Sequence, residues 1–382
     1  MSEGLRMNWD PHPIVVWELT RACDLHCRGC PSGAVPRPGF NELTTYESYK
    51  TVDQIAALEP REFVITGGDP LERDDVYQII DYARRRGLDP ALVLTPTGEL
   101  TAQVIRRLQA NGLTRVVLGV DGSTSSIHES IHSVRGTFGA TLQTLRWAEC
   151  SGLNIEINTL LCRSNASDLE AIAALIRPFP VDRWNIHFLV PVGGSKEIEI
   201  LTGEETEAAF AVIAALRAAE AFRIRIVEAP HFLRFHLARS LESQLAAPAA
   251  EWSDFLTYDA AEGEPLRSVL DSVRDGARDF LFVSHAGNVM PSEFVPLSAG
   301  NLRYRSLGAI FRGSDLFVAL RDPDNLKGKC GDCEYRYICG GSRARAWAMT
   351  GDILGSDPLC SYEPGTDPGV SGRTRGNREA MA

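Results

Sequence analysis

From Val15 to about Val190 the chain alternates short apolar runs with segments of helical period, and this rhythm narrows the fold more than any other feature. The runs are VVWEL (15–19), FVIT (63–66), ALVLT (91–95), RVVLGV (115–120), NIEINTLLC (154–162) and WNIHFLV (184–190). Between them lie YESYKTVDQIAAL, LERDDVYQIIDYARRRG, LTAQVIRRLQANG, GATLQTLRWAECSG and DLEAIAALI. Each intervening segment places apolar residues at i, i+3 and i+4, and most end in Gly or Pro, as helices do. About six β–α units follow, which implies parallel strands joined by right-handed helical crossovers. The expected fold is α/β, a partial (β/α)6 TIM-like barrel two units short of the complete eightfold form. In such folds the chemistry sits at the C-terminal ends of the strands.

After Pro191 the rhythm changes. EETEAAFAVIAALRAAEAF reads as a helix and RIRIVE (223–228) as a strand. FLFVSHAGNVMPSEF (280–294) reads as a hairpin whose HAGN supplies the turn. A second cysteine group follows. The expected division is an N-terminal extension (1–12), the partial barrel (13–228), a cysteine-rich C-terminal domain (229–362) and a tail (363–382). The tail is rich in Gly, Pro and Arg with little to bury, so it is expected to be disordered.

A formal net charge of −11 argues against nucleic acid or an anionic membrane as partner, since a phosphate-binding surface needs excess Lys and Arg. No run of eighteen apolar residues is present to span a bilayer. The first twenty residues lack a basic region followed by an apolar stretch, so they do not read as a secretory signal. The expected setting is the cytoplasm, where nine cysteines stay reduced and clustered thiols point to metal.

Three of the nine fall within LTRACDLHCRGCPSGA (19–34), directly after the first strand. Cys23, Cys27 and Cys30 could be incidental loop thiols, part of a zinc site completed from afar, or a set of three ligands. Thiolates suit iron–sulfur clusters and zinc. A four-iron cluster normally takes four thiolates, so three would leave one iron open, and catalytic metal sites keep an open position.

The pattern C-x3-C-x2-C after strand one resembles the radical S-adenosylmethionine (SAM) superfamily, over about residues 13–192. The resemblance implies a 4Fe–4S cluster on Cys23, Cys27 and Cys30 whose fourth iron binds the amino and carboxylate groups of SAM. TGGDP (66–70) resembles the family's Gly-Gly-Glu-Pro motif, which implies SAM contacts at Gly67, Gly68, Asp69 and Pro70. LGVDGS (118–123) resembles the Ser-x-Asp-Gly segment, with Gly119 where serine is usual and Asp121 as a ribose or methionine contact. INTLLCRSN resembles the fifth-strand segment and places Asn158 near the ribose or adenine. LTPTG (94–98) adds Thr95, and Arg163 just past strand five is a candidate partner for the SAM carboxylate. Gly29 stands where the family usually has an aromatic residue or histidine.

The second group, CGDCEYRYICGGSRARAWAMTGDILGSDPLC, gives C-x2-C-x5-C and a fourth cysteine twenty-one residues later. Cys330, Cys333, Cys339 and Cys360 are four thiolates for one closed centre, either zinc or a second 4Fe–4S cluster. The spacing resembles the SPASM extension of radical SAM enzymes, with Ser292 and Ser342 near positions where further cysteines would stand. The wording CGGSRARA…TGD…DPLC resembles the heme and heme d1 branch, which acts on tetrapyrrole side chains.

The resemblance implies an oxidoreductase or maturase. The reduced cluster would pass an electron, from a donor such as flavodoxin or ferredoxin, to SAM. The 5′-deoxyadenosyl radical so formed would take a hydrogen atom from a small-molecule or peptide substrate. With one auxiliary cluster the expected outcome is oxidation of a tetrapyrrole side chain or ribosomal peptide. Asn158, Leu160 and Cys162 share one strand parity. Cys162 is therefore a candidate hydrogen-atom donor in a redox-neutral epimerase of a sugar or peptide, or else a gap-filling hydrophobe. Cys150 reads as core packing, and His187 could face the barrel or the helices. The rival from another class is a non-catalytic zinc or iron–sulfur protein that binds or senses.

Overall fold

The computed structural model describes residues 11–28, 30, 33–244, 273–274 and 279–366. Residues 1–10 of the expected extension, residues 367–382 of the tail, and Gly29 lie outside them. All six expected strands form: β1 (Ile14–Glu18), β2 (Glu62–Thr66), β3 (Pro90–Leu94), β4 (Arg115–Gly119), β5 (Asn154–Leu161) and β6 (Val181–Phe188). They lie side by side in chain order, every pair parallel, and β7 (Arg223–Val227) continues the series beside β6.

The crossovers are α1 (Thr45–Ala56), α2 (Val76–Arg85), α3 (Ala102–Ala110), α4 (Ser125–His132), α5 (Thr137–Cys150), α6 (Leu169–Ile176) and α7 (Gly203–Ala219). Threonine starts several of them. Thr44 and Thr202 form capping boxes with Glu47 and Glu205, while Thr101 and Thr124 cap the first turns of α3 and α4. Each cap satisfies an N–H that the helix itself leaves unpaired. Two differences from the sequence reading stand out. α2 begins at Val76 rather than in LERDD, because Pro70–Glu72 closes a separate 3-10 turn capped by Asp69. α4 was not expected, and it inserts a helix between β4 and α5.

The sheet also runs past residue 228. The expected hairpin forms from β9 (Phe280–Val283) and β10 (Asn288–Met290), but β9 pairs in parallel with β1. β11 (Gly300–Asn301) extends that edge, and β8 (Val273–Arg274) pairs with β7 at the other. Glu18 at the end of β1 binds the His285 ring in the β9–β10 turn.

Strand parity divides the two faces of the sheet. Val15, Trp17, Ile65, Leu92, Val116, Leu118, Ile157, Trp184 and Ile226 are fully buried against the helices. Trp184 satisfies its indole N–H on Thr159 at 2.8 Å, and its truncation to alanine would cost about 3–5 kcal/mol. The other parity, including Val16, Val64, Val93, Val117, Asn158, Asn185, Val227 and Phe282, lines one shared cavity, so the sheet curls around it. Charges nearer the strands' beginnings are paired. Arg183 reaches Glu156 at 2.6 Å and Glu62 at 3.0 Å, and Arg225 reaches Glu62 at 2.6 Å. Buried ions survive only with such partners. Among the described residues no helix is long and apolar enough to cross a membrane.

Candidate active site

The cavity inside the curled sheet measures about 360 Å³, the size class of small-ligand sites. Its wall brings together Cys23, Cys27, Cys30, Gly67, Gly68, Thr95, Asp121 and Asn158, which are 135 residues apart at the extremes of the sequence (158 − 23). His187 lines the same wall, which settles the side it faces. Each of these residues stands on or just after a strand, so parallel order alone converges them.

The cysteine loop is held by backbone bonds. Cys23 N–H donates to Val35 at 2.9 Å, and the glycine loop after β2 lies flat against it. Gly68 N–H donates to the Thr20 carbonyl at 2.9 Å and Asp69 N–H to the Ala22 carbonyl at 2.7 Å. A Cβ on Gly68 would collide with the carbonyls of Arg21 and Ala22, and one on Gly67 would sit 2.6 Å from the Thr20 carbonyl. The paired glycines are therefore required by the approach of one backbone to another. Thr95 braces the same loop, its hydroxyl donating to the Gly68 carbonyl at 2.8 Å.

Asp69 does not line the cavity. Its carboxylate is fully buried and accepts from Leu71 N–H at 3.0 Å and Thr97 Oγ1 at 2.7 Å. Burial raises its pKa despite those bonds. Asp69 caps the 3-10 turn and Pro70 opens it, so both act on the loop's shape. Arg163 also stands away from the wall, bound to Glu205 at 3.0 Å and Glu199 at 3.4 Å. Cys162 is fully buried in an apolar cluster with Ile131 and Leu189, its sulfur 3.2 Å from Ser164 Oγ, and it does not line the cavity. The strand ends at Leu161, so the parity that would have aimed this thiol inward stops one residue short. Cys150 is exposed at the end of α5, whose buried face carries Thr141, Thr144, Leu145 and Ala148 instead. It is not core packing.

Asp121 is held on the wall by two contacts to its carboxylate. It accepts from Leu160 N–H at 2.6 Å and lies 2.6 Å from His132 Nε2. Burial would raise its carboxyl, but the His132 hydrogen bond and charge hold it below the ordinary value. Burial likewise opposes charge on His132, yet Asp121 and Cys27 beside it push its pKa up to about 10. His128 stacks on His132 at 4.4 Å, and its Nδ1 accepts from Asp121 N–H at 3.1 Å. Burial depresses His128 to about 4. The histidine pair escaped the sequence reading, although SSIHESIH puts both at i, i+4 on one helical face directly after the Asp-Gly segment.

Three observations test whether the wall fits a cluster and a polar ligand. Burial, with the charges of Asp69, Cys27 and Cys30 adding to it, pushes the Cys23 thiol up to about 11, so the three thiols stand close enough to feel one another at the wall. Asn158 accepts from Asn185 Nδ2 at 2.9 Å, which leaves Asn185 Oδ1 buried and unpartnered at the wall. Thiolates are also the donor set that iron–sulfur clusters take.

The C-terminal thiols gather in the same way. Burial pushes Cys333 up to about 12, with Cys360 and Cys330 nearby adding to the rise, and raises Cys339 well above the ordinary thiol value. N–H groups point at their sulfurs, Asp357 to Cys330 at 3.4 Å and Gly341 to Cys339 at 3.4 Å. Gly341 is left-handed at φ 70°, and a Cβ there would lie 3.1 Å from the Cys330 sulfur.

A parallel sheet curled around a three-cysteine loop, a glycine-pair loop and an Asp-Gly segment defines a class, and the family comparison gives the same answer. Residues 17–176 match the radical SAM superfamily, and the chain belongs to it. It is therefore an enzyme of a family that binds SAM and a 4Fe–4S cluster. Among individual proteins, it is 32% identical to the AdoMet-dependent heme synthase of Oleidesulfovibrio alaskensis, covering 93% of this chain and 88% of that one. It is 27% identical to the pre-heme d1 synthase of Dinoroseobacter shibae, covering 92% and 86%. Streptococcus suis SuiB bound to its precursor peptide SuiA shares the fold with a TM-score of 0.66 at 13% identity, over 93% of this chain and 77% of SuiB.

Proposed function

We propose that this enzyme modifies a tetrapyrrole side chain or a ribosomal peptide oxidatively, using a SAM-binding cluster on Cys23, Cys27 and Cys30 and an auxiliary 4Fe–4S cluster on Cys330, Cys333, Cys339 and Cys360. The observation that carries the reading is the gathering of seven thiols into two sets, three on the wall of a ligand-sized cavity and four, buried or half-buried, in the C-terminal segment. Among the described residues the one group of three ligand atoms held within 4.8 Å is Asp121, His128 and His132. Tetrahedral zinc, with Zn–S near 2.3 Å, would draw its sulfurs to roughly 4 Å apart. The wider thiol sets favour clusters over zinc at both places.

Bound there, the cluster and SAM would supply a 5′-deoxyadenosyl radical by one-electron reduction. The protein's part is to position and to exclude. Gly67 and Gly68 set the loop that faces the cysteines, Asn158 and Asn185 offer amide groups to a ribose or adenine, and Asp121 offers a fixed carboxylate. Val16, Val64, Val93 and Val117 give the cavity an apolar floor that keeps water from the reacting carbon. The auxiliary set closes its centre with four protein ligands, which suits electron transfer rather than substrate ligation. Likeness to the heme and pre-heme d1 synthases favours a tetrapyrrole, and likeness to SuiB keeps the peptide in view. The electron donor would be flavodoxin or ferredoxin, in a cytoplasmic setting that keeps thiols reduced.

The test is metal content and product. Anaerobically reconstituted protein should carry about eight irons and eight sulfides per chain, falling to about four in Cys330→Ala. An iron-bearing propionate tetrapyrrole should lose carbon dioxide and two hydrogens per propionate when SAM and reductant are supplied, one hydrogen atom going to 5′-deoxyadenosine and one electron, with a proton, leaving through the auxiliary site. A zinc-loaded C-terminal set, or turnover with inversion and no net oxidation, would contradict the reading. Cys162, buried away from the wall, lends the epimerase no support.

A further inference from the structure

Glu228 follows β7 directly and is only 2% exposed, yet it lines the same cavity as the three N-terminal cysteines. Its backbone is left-handed at φ 59°, a conformation costly to any residue with a side chain. A glycine would adopt it freely but would lack the carboxylate that this position places in the cavity wall. The fully buried Arg345 holds the turn, donating from Nη1 and Nη2 to the Glu228 carbonyl. The Glu228 carboxylate accepts from Ser342 Oγ. Ser342 N–H donates to Asp357 at 2.8 Å, and Asp357 N–H points at the Cys330 sulfur at 3.4 Å. Arg345 closes the circuit 3.6 Å from Asp357. Ser342, Arg345 and Asp357 are all inaccessible to solvent, so no water screens a charge placed on this path.

We propose that Glu228 is a positioning residue through which the cavity's charge state acts on the C-terminal thiol site. The proposal rests on the reading that those thiols hold an iron–sulfur cluster. Two buried residues, Ser342 and Asp357, separate the Glu228 carboxylate from the Cys330 sulfur, and both belong to the segments that carry Cys339 and Cys360. A substrate N–H or cation meeting the carboxylate withdraws negative charge from one end of a dry hydrogen-bonded path. The other end then accepts an electron more readily, so an occupied cavity and a receptive auxiliary site go together.

The test is an EPR-monitored potentiometric titration of anaerobically reconstituted full-length protein. Glu228→Gln keeps an acceptor for Ser342 but removes the charge, and should move the C-terminal midpoint to a more positive potential. Glu228→Asp keeps the charge and should leave the midpoint near wild type. In a Ser342→Ala background the Glu228→Gln shift should fall to less than half. An unchanged midpoint in Glu228→Gln, an equal shift in Glu228→Asp, or a shift indifferent to Ser342 would each overturn the proposal while leaving the auxiliary cluster intact. If Glu228→Gln fails to load the C-terminal site, Ser342→Ala alone decides: its midpoint must move, and one identical to wild type overturns the proposal. A wild-type protein with no C-terminal iron signal would instead sink the cluster reading, and this proposal with it.

Discussion

His132 Nε2 lies 2.6 Å from the Asp121 carboxylate, and both side chains stand on the cavity wall with Cys27. The pair fixes the one wall carboxylate that the family resemblance assigns to SAM. His132→Ala should therefore weaken SAM binding about tenfold, equivalent to about 1.4 kcal/mol, because Asp121 loses a charge-assisted bond and its orientation. Equilibrium binding of SAM to the reconstituted protein measures this. An unchanged affinity would remove Asp121 from the ligand's contacts.

The contact between Gly68 and the cysteine loop makes a sharper structural prediction. Gly68→Ala forces a methyl into the carbonyls of Arg21 and Ala22, which are backbone and cannot swing aside. The N-terminal cluster should load poorly while the C-terminal one loads normally, so iron should fall from about eight to about four per chain. Full iron content with normal SAM binding would show that the two loops can separate without cost.

The fold was largely legible in the sequence because its signal is periodic. Six apolar runs at β–α spacing gave six parallel strands, and RIRIVE gave the seventh. What stayed hidden depends on contacts between distant segments. The pairing of Phe280–Val283 with β1 has no local signature, since an apolar tetrapeptide fits a hairpin or a sheet edge equally well. Cys162 shows the limit of parity: alternation predicts facing only while the strand lasts, and β5 stops one residue earlier. Arg163 was drawn toward the ligand by proximity in sequence, but Glu205, forty-two residues on, holds it elsewhere. The His128–His132 pair was readable from spacing and was missed because α4 itself was missed.

His231 supplies a pH dependence whose sign can be worked out. It is fully buried, and burial holds its pKa at about 3, below the ordinary 6.5, although Asp357 nearby works to raise it. Between those two values the unfolded chain binds a proton that the folded chain refuses, so stability falls as pH drops through the window. The loss should approach about 1.4 kcal/mol per pH unit below 6.5. Urea unfolding at pH 7.5 and 5.5 should show a smaller acid loss in His231→Gln than in wild type. Equal losses would mean that the ring is charged in the fold.

Cys162→Ala separates packing from catalysis. The thiol fills an apolar cluster, so its loss should cost about 1 kcal/mol of stability and leave 5′-deoxyadenosine formation within twofold of wild type. Product should carry no deuterium from heavy water at the reacting carbon. Product lost with 5′-deoxyadenosine retained would restore Cys162 as a hydrogen donor.

The central claim is that three cavity-wall thiols present an iron with room for SAM. Its most direct measurement is 5′-deoxyadenosine released from SAM by dithionite-reduced, anaerobically reconstituted protein, comparing wild type with Cys27→Ala. Wild type should form 5′-deoxyadenosine and methionine in equal amounts, and Cys27→Ala should fall at least a hundredfold while still loading the C-terminal site. Equal release from both proteins, or none from an iron-replete wild type, would contradict the account.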